Sequence, residues 1–155
     1  MKKLSKKKIE KRIKKLVPYW AKKLRMPTEI ALKRDNRKFY PASVNIKYGK
    51  YRLTYNSKVM ASDGYNTHQR IIYLIFHELG HLKKKALHKY IGKIKAEYIA
   101  EITALKWLKK YFRGYYKTHV NYMRGVVQNK HYFANAFHNR AFRLVKEYRY
   151  IKVQK

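Results

Sequence analysis

Cysteine is absent from this 155-residue chain, so no disulfide can staple it and no thiolate can hold a metal. That absence suits a reducing interior. Acid is almost as scarce: eight Asp and Glu stand against 40 Lys and Arg, a formal net charge of +32. No apolar run approaches the roughly 18–20 residues of a membrane span. The lysine-rich start also lacks the apolar segment of a signal peptide. Three prolines and six glycines leave no low-complexity linker, and no internal repeat is visible. Together these absences exclude a disulfide scaffold, a spanning helix and a repeat array. They lead to the expectation of a soluble, intracellular, cytoplasmic protein.

What is present supports one folded domain. A 46% hydrophobic content in 155 residues is enough for a modest core. An AT-rich genome would favour Lys, Tyr, Asn and Ile, but glutamate codons are equally AT-rich and glutamate is scarce. Codon bias therefore accounts for the lysines and not for the missing acids. Charge of this density attracts polyanions, which makes nucleic acid the expected partner. The plainer alternative is a solvated basic surface with no specific partner.

The start, 1–17, has Ile9, Ile13, Leu16 and Val17 on one stripe among lysines, which predicts a basic amphipathic helix ended by Pro18. A short helical pattern follows from Tyr19 to Met26. Strands are expected at 28–34, 42–48 and 51–55, the last two joined by a turn at Gly49-Lys50, giving a small antiparallel sheet. A loop with an Asp63-Gly64 turn is expected between Met60 and Thr67.

The chemistry-bearing stretch comes next. Ile71-Ile72-Tyr73-Leu74-Ile75-Phe76 runs into His77-Glu78-Leu79-Gly80-His81. With Asn66 or Thr67 as N-cap and no proline from Thr67 to Lys95, the segment reads as helix. Residues four apart lie on one helix face with Cβ atoms about 5–6 Å apart. Two imidazoles so placed can each reach one Zn²⁺ at about 2.0–2.1 Å. Glu78 follows the first histidine directly, beside the metal, where a general base must sit. His68, in the first turn of that helix, reads as a surface residue. Two exposed histidines on an amphipathic helix is the bland alternative, but the apolar run before them argues for burial.

A catalytic zinc takes three protein ligands and keeps a position open for water. His88, Glu97 and Glu101 are the downstream candidates. A bend returning His88 usually needs a glycine, and Lys83-Lys84-Lys85-Ala86-Leu87 has none. Glu97 and Glu101 sit four apart on a second helix predicted over 93–108, after Gly92, where Glu97, Ala100, Glu101, Ala104 and Leu108 share a face. Its alanines allow close packing, with Glu97 as third ligand and Glu101 hydrogen-bonding a ligating imidazole. Alternatively both carboxylates pair with neighbouring lysines on a solvated face. Three of only eight acids within 25 positions is a concentration that a solvated face does not call for.

At this point the residues resemble a known family. His77–His81 followed by Glu97-Tyr98-Ile99-Ala100-Glu101-Ile102-Thr103-Ala104 is similar to the gluzincin-type metallopeptidases, and most of all to the ImmA/IrrE group. There a Glu-x-Glu-Ala-(Asp/Asn/Glu)-x-Phe-Ala pattern follows the motif helix. The resemblance implies His77, His81 and Glu97 as zinc ligands and Glu78 as general base. Ile99 and Thr103 depart from the pattern, and the likeness covers roughly 40–110. The 51–55 strand resembles the one ahead of the motif helix in that group. SprT-like proteases are a neighbouring possibility, but a zinc ribbon like theirs needs cysteines.

The tail 111–155 alternates aromatics with bases. Gly114 and Gly125 are expected to divide it, and Phe133, Phe137, Ala141, Leu144, Tyr148 and Ile151 fit a terminal amphipathic helix. His119, His131 and His138 are candidate donors to a transition-state oxyanion. The combined expectation is one α+β, zincin-like domain over 1–155, with its core at about 28–110 and basic helices at both ends. It would be a zinc metallo-endopeptidase acting on nucleic-acid-associated proteins. The competing class is a non-enzymatic nucleic-acid-binding or packaging protein with a structural or vestigial zinc site.

Overall fold

The structure, a computed structural model, describes residues 3–26, 29–37, 39–128 and 136–149, with side chains from 138 onward in the last stretch. The architecture is α+β, mostly helical with one three-stranded sheet. It divides into two compact units, Met1–Lys85 and Ala86–Lys155. Among the described residues no helix is long and apolar enough to cross a membrane.

The first unit opens with α1, Lys6–Lys23. Its apolar stripe (Ile9, Ile13, Val17, Trp20, Ala21) is buried, with Leu16 partly so. Pro18 does not end it: α1 runs through the proline and absorbs the helical pattern expected to follow separately. A proline inside a helix costs about 3 kcal/mol through its missing N–H and its ring clash. Burying a Val, Ile or Trp side chain returns roughly 1.5–3 kcal/mol each. With Val17 on one side of Pro18 and Trp20 on the other both buried, continuing the helix wins. Trp20 stacks edge-on against Phe76 at a centroid distance of 4.8 Å, tying α1 to the motif helix.

Three strands follow: β1 Ile30–Arg34, β2 Ala42–Lys47 and β3 Lys50–Tyr55. Tyr48 (φ 51°) and Gly49 (φ 72°) are both left-handed, as the two-residue turn of a tight hairpin between β2 and β3 requires. The sheet order is β1-β3-β2, with β1 parallel to β3 and β2 antiparallel to it. The sheet is therefore mixed, which corrects the antiparallel expectation. β3 carries the buried Tyr51, Leu53 and Tyr55 and takes the centre, leaving the more polar strands at the edges. Asn56 caps a short helix, α2 Ser57–Ser62, accepting from the Lys58 and Val59 N–H groups at 2.9 and 3.3 Å. That cap places helix where the start of a loop was expected; the Asp63-Gly64 turn follows it.

The motif helix is α3, His68–Lys83. Thr67 is its N-cap, accepting from the Arg70 N–H at 3.3 Å.

In the second unit, a four-residue turn of helix, α4 His88–Ile91, leads to Gly92. Gly92 (φ 78°, ψ 156°) holds a conformation only glycine adopts freely, and it starts α5, Lys93–Tyr111. Then come α6 Arg113–Gln128, α7 Ala136–Arg143 and a 3₁₀ turn at Lys146–Tyr148. Gly114 and Gly125 both lie within α6 and break nothing. A single glycine costs a helix only about 1 kcal/mol, less than α6 gains by burying Val120, Met123 and Val126. The expected single terminal helix is α7 followed by a separate turn. Ala141 and Tyr148 are buried and Leu144 is half-exposed, whereas Phe133 and Ile151, and the Phe137 side chain, lie outside the described residues. Leu105, Val120, Met123, Val126, Phe142 and Val145 form this unit's core.

Candidate metal centre

Every residue of α3 from Ile71 to Leu82 is buried. This is the consequence of a run without a polar face: Ile71 to Phe76 offer no side for water, and the three polar groups that follow are carried in with them. His77 is 7% exposed, Glu78 7% and His81 5%. The His77 and His81 rings lie one turn apart with centroids 5.0 Å apart and planes at 83°. Tyr73, one turn earlier, stands beside His77 with centroids 6.1 Å apart.

On α5 the predicted face is buried throughout: Ala100, Glu101, Ala104 and Leu108 are all 0% exposed and Glu97 is 4%. The alternative of Glu97 and Glu101 as lysine partners on a solvated face is thereby removed. The two carboxylates have different company. Glu97 meets His88 Nε2 at 2.5 Å through one oxygen and His138 Nε2 at 3.1 Å through the other. Glu101 accepts a hydrogen bond from the Tyr148 hydroxyl. His119 Nε2 stands 3.3 Å from that hydroxyl and 3.7 Å from the Glu101 carboxylate. Burial, and then the Glu101 charge, push the Tyr148 hydroxyl well above its usual range, so it stays protonated and donates.

The donor atoms of His77, His81 and Glu97 all lie within 4.8 Å of one another, and all three residues are buried. Such a group could hold a metal ion. Its chemistry fits one: two neutral imidazoles and a carboxylate are a zinc donor set. A carboxylate has about four lone-pair positions, so contact with His88 and His138 still leaves Glu97 one to give.

The sequence reading missed two partners of Glu97. His88 was set aside for want of a glycine, but Lys85 makes the left-handed turn itself at φ 50°. His138 and His119 were singled out only as oxyanion donors; the structure sets His138 against Glu97 and His119 inside the core beside Tyr148. His131 lies outside the described residues. The tail beyond residue 110 thus supplies neighbours to both α5 carboxylates. Its only sequence signal was histidine in a chain short of acids. His68 is exposed, as expected, and its Nδ1 accepts from Arg12 Nη1 at 2.5 Å.

Compared with family models, with curated proteins and with solved structures, the chain matches none.

Proposed function

We propose that this protein is a zinc metallopeptidase of the gluzincin type, with His77, His81 and Glu97 as the metal ligands and Glu78 as the general base. The observation that carries the reading is the buried two-histidine, one-glutamate group with a second carboxylate, Glu78, next in sequence to the first histidine. A purely structural site gains nothing from an adjacent base. When bound, Zn²⁺ supplies Lewis acidity, polarising a peptide carbonyl and lowering the pKa of a water toward about 7.

The chain's own residues do the rest. His77 and His81 present nitrogen donors from one face of a helix buried along its length from Ile71 to Leu82. His88 and His138 hold the two oxygens of Glu97 and fix how that carboxylate faces. Glu78 takes the proton from the attacking water and passes it to the leaving amine. Of the two described tail histidines, His138, whose side chain is 29% exposed against 4% for His119, is the one open to a substrate carbonyl oxygen.

The substrate class follows from charge. A chain at +32 concentrates near nucleic acid, so proteins bound there are the peptides it meets most. The test is metal content by mass spectrometry, together with cleavage of an unfolded protein, in the wild type and Glu78→Gln. The variant is expected to keep one zinc per chain and lose cleavage. A wild type that binds no metal, or a variant that cleaves unchanged, refutes the reading. Metal without cleavage in the wild type favours the nucleic-acid-binding class instead.

A further inference from the structure

The sheet of the first unit has two unlike faces. Ile30, Leu32, Tyr51, Leu53, Tyr55, Val44 and Ile46 point inward. Strand alternation and register put a different set on the other face. Ala31, Arg52 and Asn45 form one row across the three strands, Lys33, Thr54 and Ser43 the next, and Lys47 faces Lys50 at the hairpin end. Lys33, Asn45, Lys47, Lys50 and Arg52 are exposed, whereas Ser43 is partly buried and Thr54 buried, so the open part of this face lies toward the hairpin end.

No acid occupies any of these strand positions; Glu29 immediately precedes β1, and Asp35 just past it is engaged by the Arg37 backbone N–H at 3.1 Å and Nε at 3.4 Å. Like charges directly opposite across a ladder are destabilising. Lys47 against Lys50 is therefore an arrangement that an anion would relieve, with Glu29, in line with Lys50 beyond the start of β1, the one acid the register brings to that end of the face.

The second feature is aromatic. Tyr48, at the hairpin tip, is 89% exposed, and Phe39, three residues before β2, is 96% exposed. Lys47 Nζ lies 5.1 Å from the Tyr48 ring centroid. Large exposed rings at both ends of a basic strand cost solubility and contribute nothing to the core. Rows of bases about 6–7 Å apart along the strands, flanked by exposed aromatic rings, match a polyanion with flat, unpaired rings.

We propose that this outer sheet face binds an unpaired nucleic-acid strand, with phosphates against Lys33, Lys47, Lys50 and Arg52 and bases stacked on Tyr48 and Phe39. The inference deepens the nucleic-acid half of the proposed function and rests on it, while the metal site is independent of it. α1 is basic too, with Lys7, Lys11 and Lys15 exposed, but it offers no comparable pair of nearly fully exposed rings and serves as the comparison.

The test is fluorescence anisotropy of a labelled oligothymidine, and of a duplex of equal length, across a salt series with the full chain. Far-UV circular dichroism controls the fold. Replacing Lys47, Lys50 and Arg52 by Ser should lower the salt slope on single strands by about 2. Tyr48→Ser or Phe39→Ser should each weaken single-strand binding at least about 5-fold, and the two together at least about 30-fold, while leaving the duplex largely unaffected. The same substitutions at Lys7, Lys11 and Lys15 should do less than either.

A wild type that ignores both nucleic acids overturns the nucleic-acid reading itself; metal content and cleavage then still report on the peptidase. Binding that survives the sheet substitutions, or falls chiefly with the α1 set, overturns this inference alone. So does a stronger dependence of the same residues in binding vesicles of anionic lipid.

Discussion

Tyr148→Phe removes one buried hydroxyl and leaves the ring. The ring stays, so its packing against Phe142, at 6.3 Å and 72°, is kept and no cavity opens. Only the hydroxyl is lost, which donates to Glu101, between residues 1% and 0% exposed, and has His119 Nε2 3.3 Å away as its weaker neighbour. A hydrogen bond to a charged acceptor contributes about 1.5–3 kcal/mol. Burial keeps the hydroxyl protonated, so the donor is present at any working pH. An expected loss of about 2 kcal/mol lowers a urea midpoint by about 1 M at an m-value near 2 kcal/mol/M. Trp107 on α5 is the one tryptophan after residue 85, so a Trp20→Phe background makes fluorescence report on the unit that holds the bond. With Glu101→Gln also present, Tyr148→Phe should cost only about 0.5–1.5 kcal/mol, since the acceptor is then neutral. An equal cost with and without Glu101→Gln refutes the reasoning, as does a midpoint shift too small to measure.

Three further outcomes can be checked directly. Zinc at a hundred times its dissociation constant should add about 2.7 kcal/mol to wild-type stability and nothing to His77→Ala or His81→Ala; equal thermal shifts in all three proteins would rule out those ligands. Partial loss of water around the ring, and then the neighbouring Arg12 charge, hold the His68 imidazole below its usual pKa of about 6.5. The unfolded chain therefore takes a proton first as pH falls, so this contribution to stability is present above about 6.5 and lost below it, down through the folded pKa. An NMR titration should find the His68 midpoint below 6.5 and higher in Arg12→Ala; an unmoved midpoint removes the arginine from the account. Finally, Pro18→Ala should stabilise the chain by up to about 3 kcal/mol, because it restores a backbone donor in the middle of an intact helix. A lower melting temperature would show that the proline is needed for something other than the helix.

The local grammar of the chain was enough to place most of its elements. Three strands, the Thr67 cap, the Gly92 start of α5 and the buried Glu97–Leu108 face all follow from periodicity and capping, which act over a few residues. The motif was legible for the same reason: an i, i+4 histidine pair needs only a helix beneath it. Packing decided the rest. Whether Pro18 ends α1 depends on what Val17 and Trp20 bury against, and whether glycines divide α6 depends on the core beneath Val120 and Met123. The parallel pairing of β1 with β3 reflects which strand is apolar enough to take the centre. Least legible were the partners of Glu97 and Glu101. His88 arrives through a left-handed lysine, and His138, His119 and Tyr148 arrive from chain 18 to 47 residues away, where no spacing rule reaches. Periodicity fixes which face a side chain takes; only the folded chain determines which distant group it meets there, because burial leaves a carboxylate no water to choose instead.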